Sequence, residues 1–158
     1  MVTANPLFLR DTEVDRSLEL ILLAERELAG LAMPLARRHG LSAADIRLLQ
    51  LVAKHPAGTT ADLARRLGVT KQTVSRQVAA LTASGLLERR PSTSDARKVL
   101  LQLTEVGRAR SDEIGELQRR RLRLAFKRAG ADAVDGFRRV LTALTEDAGR
   151  RPGRPEAA

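Results

Sequence analysis

The sequence predicts a mostly α-helical fold with one small β-hairpin, and three observations carry that reading. Apolar residues recur at helical spacing along most of the chain, a period-two pattern occurs only at 86–90 and 99–103, and Gly40, Gly68, Gly85 and Gly130 fall where helical runs stop. Its 158 residues suit one cored domain better than two independent ones. With 43% hydrophobic and 30% charged residues, a folded soluble protein is expected. Aromatic residues make up only 2%, so the core has to be built from Leu, Val, Ile and Ala.

Residues 1–10 read as a loose arm. A long helix is expected from about Thr12, where Thr12 and Asp15 resemble a capping box and Asp11, Glu13 and Asp15 place negative charge at the positive helix end. Its stripe of Val14, Leu18, Ile21, Leu22, Leu28, Leu31 and Leu35 is widened by Leu20 and Leu23 beyond what one neighbour would cover. A second copy of the chain is the simplest further partner. Pro34 removes a backbone donor and predicts a kink near Gly30, and His39-Gly40 closes the helix. Ser42 to Asp45 then opens a second helix with Ile46, Leu49, Val52 and Ala53 facing inward.

The stretch 60–104 is the densest in signals. Thr60 is read as the N-cap of a short helix over 61–67, Gly68-Val69 as a tight turn, and Thr70 as the cap of the next helix. On that helix Val74, Val78 and Leu81 form the buried side, and Lys71, Gln72, Ser75, Arg76 and Ala79 the outer one. Gly85 ends it. The strands 86–90 and 99–103 follow, with Val99, Leu101 and Leu103 on one face and the connecting loop PSTSDARK between them. Helix, turn, helix and basic hairpin in this order make a winged helix-turn-helix, a module that places one helix in a DNA groove.

An outer helix face of this kind is by itself usually just solvated. The turn before it and the hairpin after it favour nucleic acid. Arg76 can bond guanine in two places and Gln72 adenine, while Thr70, Lys71 and Thr73 suit phosphate oxygens and Ser75 lies between them. Arg89 and Arg90 at the hairpin base, with Arg97 and Lys98 in its loop, can clamp a phosphate backbone beside the minor groove. The formal net charge of +9 fits a polyanion partner, although an Arg-rich composition alone would give it too.

After Thr104, itself an N-cap candidate, a helix is expected to about Arg128, with Val106, Ala109, Ile114, Leu117, Leu124 and Ala125 inside. The cluster Arg119, Arg120, Arg121 and Arg123 is read as a solvated face. Val134, Phe137, Val140, Leu141 and Leu144 mark a last helix, and a disordered tail is expected over 150–158.

Several functions find no support. There is no Gly-rich phosphate loop and no nucleophile elbow, so the chain is not read as an enzyme and no cofactor is expected. The chain has no cysteine, and its two histidines, His39 and His55, read as helix-end residues, so no metal site is expected. No apolar run is long enough to cross a membrane, and the cytoplasm is the expected location.

The segments Gly85-Leu86-Leu87-Glu88-Arg89, Asp95-Ala96-Arg97 and Leu103-Thr104-Glu105-Val106-Gly107 together resemble the signature of the MarR (multiple antibiotic resistance regulator) family of transcription factors. The resemblance covers residues 12–148 in element order and is most specific over 60–107. It implies a homodimer, with residues 1–40 and 105–149 as a helical dimerisation region and 41–104 as the DNA-binding domain. It further implies that helix 71–83 enters the major groove, that Arg97 reaches the minor groove and that Asp95 holds the wing in shape. The expected function is a ligand-responsive repressor that binds a pseudo-palindromic operator in double-stranded DNA. A non-regulatory architectural DNA-binding protein is the alternative. In relatives an effector sits where the first, second and fifth helices meet, which here points to Met33, Arg37, Ile46, Leu49 and Leu117 and to a small lipophilic or anionic molecule.

Overall fold

A computed structural model of the protein describes residues 6–56, 58–92 and 98–146. Six helices and one hairpin follow a single 3-10 turn at Pro6–Leu9: α1 (Asp11–Arg38), α2 (Ala43–Lys54), α3 (Thr60–Leu67), α4 (Lys71–Ala83), β1 (Leu87–Pro91), β2 (Val99–Leu103), α5 (Glu105–Ala129) and α6 (Ala131–Glu146). The mostly helical fold with a hairpin wing is as the sequence predicts.

Local chemistry sets most of the helix ends. Ser42 and Asp45 make a full capping box at α2, in which the Ser42 hydroxyl accepts from the Asp45 N–H and the Asp45 carboxylate accepts from the Ser42 N–H. The cap of α3 is Thr59, one residue before the expected Thr60. Asp62 stands three residues after Thr59 and returns the bond, whereas Thr60 has Leu63 in that place and no carboxylate to offer. At α1 the expected cap fails more fully: the helix begins at Asp11 with Arg10 as N-cap, and no side chain bonds the first turn. Thr12 is already the second residue of the helix, so it does not stand at the cap position. α1 then continues as one helix through Pro34. Thr70 and Thr104 cap α4 and α5 as expected, accepting from Thr73 and Gly107 respectively.

The core lies where α2, α3, α4 and the hairpin meet the C-terminal end of α1 and the N-terminal half of α5. Leu48, Leu49, Val52, Leu63, Val74, Val78, Leu87, Leu101 and Ile114 are all essentially removed from solvent. Burying each such side chain contributes about 1.5–3 kcal/mol. Ala32 and Ala36 let α1 approach this cluster closely.

β1 and β2 pair antiparallel, with Leu87 opposite Leu103, Arg89 opposite Leu101 and Pro91 opposite Val99. β1 therefore begins one residue later than the pattern suggested. Leu101 and Leu103 are buried as expected, but Val99 is half exposed, because the ribbon has by then left the helices that would cover it. On its outer edge Leu101 donates to the Gly58 carbonyl at 3.2 Å, so the connection between α2 and α3 runs alongside β2.

The start of α5 is locked to the end of α4. The Thr104 N–H donates to the Leu86 carbonyl at 3.1 Å, and the Thr104 hydroxyl donates to the Gly85 carbonyl at 2.6 Å. A Cβ on Gly107 would overlap that same Leu86 carbonyl, so only glycine lets the helix lie this close to the hairpin. The expected inner side of α5 is only partly inner: Ile114 is buried, but Val106, Leu117 and Leu124 are exposed. Gly107, Ser111 and Gly115 supply the packed positions, since small residues permit the close approach. Beyond them α6 folds back on α5, with Phe126 and Phe137 edge to face at 5.8 Å and the Arg138 guanidinium 5.9 Å from the Phe126 ring centre.

Candidate nucleic-acid interface

The interface candidate is built on α4, whose position is set from beneath. Val74, Val78 and Leu81 are buried, and their spacing turns the opposite face outward. Gly68, at φ +66°, makes the left-handed step that swings the chain from α3 into the Thr70 cap. The hydroxyls of Thr70 and Thr73 bond each other at 2.8 Å, and Thr70 also accepts from the Thr73 N–H at 3.2 Å. Both threonines therefore serve the cap first, with Thr73 half-buried.

No acidic residue lies in the first turn of α4, so its positive end is left uncompensated at the surface. Lys71, Gln72 and Arg76 are exposed and have no hydrogen-bond or ion-pair partner among the described residues. Ser75 is half-buried between them. Ala79 and Ala80, both exposed, keep the next turn low, so a bulky surface could approach closely. A helix N-terminus with free donors and small neighbours is suited to phosphate oxygens and base edges.

The hairpin treats its two arginines differently. Arg90 pairs with Glu88 through Nε and Nη2, each at 2.9 Å from Oε1, so its charge is answered on its own strand. Arg89 points to the other face of the ribbon, is exposed, and has no partner among the described residues. Lys98 is exposed just before β2, and its carbonyl accepts from the Ser92 N–H at 2.9 Å. Asp95 and Arg97 lie outside the described residues.

Sequence reasoning passed over Arg66. It is exposed in the last turn of α3, without an ion-pair partner among the described residues, while its neighbour Arg65 lies 3.4 Å from Asp62. The available signal was its place on the first helix of the pair, which in helix-turn-helix docking crosses the phosphate backbone.

The effector region is assembled differently from the sequence expectation. A cavity of about 150 Å³ lies between α1, α2 and α5, and Met33 and Ile46 line it. Arg37 is exposed and does not line it, Leu49 is fully buried in the core, and Leu117 is exposed. Gln118 lines the cavity in place of Leu117, because one residue along a helix is a turn of about 100°. The arginine at the cavity is Arg47, held at 2.8 Å by Glu25. Further along α5, hydrogen bonds from Arg123 and Arg119 hold the Glu116 carboxyl at about 2, well below the carboxylate range, so this part of the arginine cluster is internally paired. Among the described residues there is no group of three or more His, Asp or Glu able to hold a metal ion, and no helix is long and apolar enough to cross a membrane.

Known proteins place this arrangement. The HTH-type transcriptional regulator PetP of Rhodobacter capsulatus is 36% identical over 145 residues, covering 92% of this chain and 87% of that protein. Among solved structures, Streptococcus pneumoniae FabT in complex with DNA aligns with a TM-score of 0.66 at 22% identity, over 85% of this chain and 94% of that one. NadR in complex with 4-hydroxyphenylacetate aligns with a TM-score of 0.69 at 22% identity, over 78% and 88%. At that identity the two structures establish the fold alone. The model of the MarR family matches residues 39–98, which contain the whole helix-turn-helix and the first strand of the wing. With the winged fold in place and a regulator aligned along nearly the whole chain, the protein belongs to the MarR family.

Proposed function

We propose that the protein is a sequence-specific DNA-binding transcriptional regulator, acting in the cytoplasm as a homodimeric, ligand-responsive repressor of a pseudo-palindromic operator. The observation that carries the reading is the exposed N-terminal face of α4, where Lys71, Gln72 and Arg76 have no partner in the described fold and no acidic residue offsets the helix end. Residues 41–104 form the DNA-reading part, and 1–40 with 105–149 the dimerisation region. Support for the dimer comes from the apolar side chains left in water on α1 and α6, among them Leu18, Leu22, Val140 and Leu144. Relatives named as transcriptional regulators, and a neighbour of the same fold solved on DNA, agree with it.

In this reading two copies of α4 stand about 34 Å apart, one turn of DNA, and enter successive major grooves. An effector in the region of Met33 and Ile46 acts by binding one spacing of the two helices better than the other. The net charge of +9 also fits a protein that coats DNA without reading it. Selection of bound sites from a random DNA pool separates the two. A recovered inverted repeat supports the regulator, and equal affinity for all sequences at matched salt establishes the coating protein. On the selected site Arg76→Ala is expected to weaken binding by about 1–3 kcal/mol, the worth of a bidentate base contact.

A further inference from the structure

Only the four residues 39–42 separate α1 from α2. They are folded back on the last turn of α1: the His39 N–H donates to the Ala36 carbonyl at 3.0 Å, the Gly40 N–H to the Arg37 carbonyl at 3.0 Å and the Leu41 N–H to the Ala36 carbonyl at 2.9 Å. Gly40 takes the left-handed conformation at φ +68°, and Leu41 is buried. A junction this short and this tied has little slack, so a shift at the end of α1 reaches the start of α2.

His39 stands at that junction with an unused nitrogen. Its side chain is 20% exposed, and Nε2 is out of solvent with no hydrogen-bond partner among the described residues. A buried polar atom left in this way is costly. Across from it on α5 is the half-exposed carboxylate of Glu113, with Oε2 at 3.4 Å from Nε2. Arg110, one turn earlier on α5, reaches the same oxygen at 3.4 Å. On its own helix Arg37 and Arg38 precede His39 and are exposed, while on α2 Asp45 is taken up by Ser42 and Arg47 by Glu25. The arginines oppose a further positive charge, but they are screened by water. Glu113 faces a nitrogen that water does not reach, and the negative end of α1 acts in the same sense, so the carboxylate outweighs them.

Imidazole is the side chain that changes charge near neutrality. Its neutral form has only one N–H to give, whereas in the cation both nitrogens are donors. We propose that His39 and Glu113 form a proton-operated latch between α1 and α5, closed when the imidazole is charged and released when it is neutral. Closing needs only a small swing of the half-exposed Glu113 side chain, and it turns an unpaired nitrogen into the donor of a charge-assisted bond. The latch fixes the end of α1, and through the short junction it sets how α2 leaves that helix. That this alters the placement of α4 on DNA rests on the regulator reading, and the latch itself does not.

Melting of the full chain between pH 5.5 and 8.5, a range in which histidines change charge and carboxylates stay ionised, tests it. A contact made by the cation is present in acid and lost as pH rises. Parent is therefore expected to exceed Glu113→Gln by about 2–4 °C more at pH 5.5 than at pH 8.5. Loss of the Arg110 contact in that variant adds an offset that does not depend on pH. In His39→Gln the further change Glu113→Gln is expected to have the same effect at both pH values. A gap between parent and Glu113→Gln that is constant, or that widens as pH rises, overturns the latch. Nuclear magnetic resonance gives a second reading without touching either residue: in His55→Gln His39 is the only histidine, and at pH 5.5 its Nε2 proton is expected as a slowly exchanging signal. Its absence overturns the latch as well. Affinity for the selected DNA site is then compared at pH 6 and pH 8 at matched salt, and it is expected to change at least about threefold more in the parent than in His39→Gln. Equal changes overturn the coupling to DNA, whereas no site preference at either pH counts against the regulator and leaves the latch standing.

Discussion

The DNA-reading part and the terminal helices solve the problem of burial in opposite ways. In α2, α3, α4 and the hairpin, the large apolar side chains at the packed positions are hidden within one chain, with Leu48, Leu49, Leu63, Val74 and Val78 at 0% exposure. On the N-terminal half of α1 and on α6, side chains of the same kind stay in water, with Leu22 at 69% and Val140 at 63%. The difference lies in periodicity and neighbours. A short helix with a narrow stripe finishes its packing against its own sequence, while the broad stripe of Leu18, Leu20, Leu22 and Leu23 exceeds what one chain offers. The first region hides its large apolar side chains within one chain, and the second leaves its own exposed.

The sharpest way to break this contrast is Leu22→Glu. In the dimer proposed above, a charge at the centre of the apolar face is expected to raise the dissociation constant by about 30-fold or more, as loss of a strong interface contact does. Sedimentation at several concentrations reads it. The helical content of the chain should be retained, because Leu22 packs little within one chain. Unchanged association would mean that this face is not the interface.

A smaller effect, located in the other region, is expected for Gly107→Ala. The added methyl group meets the Leu86 carbonyl, and forcing the start of α5 off the hairpin is expected to cost about 1–3 kcal/mol in denaturant unfolding. Oligomeric state should follow stability only, with no separate change in the interface. A variant as stable as the parent would show that α5 can pivot freely there.

The smallest effect concerns a cap. Thr59→Ala removes the hydroxyl that accepts from the Asp62 N–H, and such a loss costs about 1 kcal/mol. The hydrogen bonds from Thr59 also hold Asp62 below its ordinary value of 3.8. A carboxyl whose folded value is depressed adds stability that is full above 3.8 and lost as pH falls through the lowered value. The gap in melting temperature between parent and variant should therefore be constant near neutrality and narrow in acid. A gap that does not change with pH would remove Asp62 from the account of the cap.

Much of this fold was legible because it rests on local rules. The Ser42–Asp45 box, the Thr70 and Thr104 caps, the positive φ at Gly40, Gly68, Gly85 and Gly130, and the strand at 99–103 all follow from residue type at short spacing. Thr59 was legible too, had the carboxylate three residues on been weighed over the apolar run. The outward face of α4 follows from three buried residues at i, i+4 and i+7. Arg90 shows the limit: its charge is plain in the sequence, but its pairing with Glu88 needs the pleat of the strand.

The sequence by itself determined which segments are helical, where most of them stop, and which helix presents a donor-rich face with no acidic residue in its first turn, because each of these depends on interactions within a few residues. Only the tertiary structure decided that Arg47 rather than Arg37 stands at the cavity, that Gln50 and Gln118 meet across it, and that Gly107 touches Leu86. Those relations join residues far apart in the chain, and their distances are set by how α1, α2 and α5 pack, which no local pattern specifies.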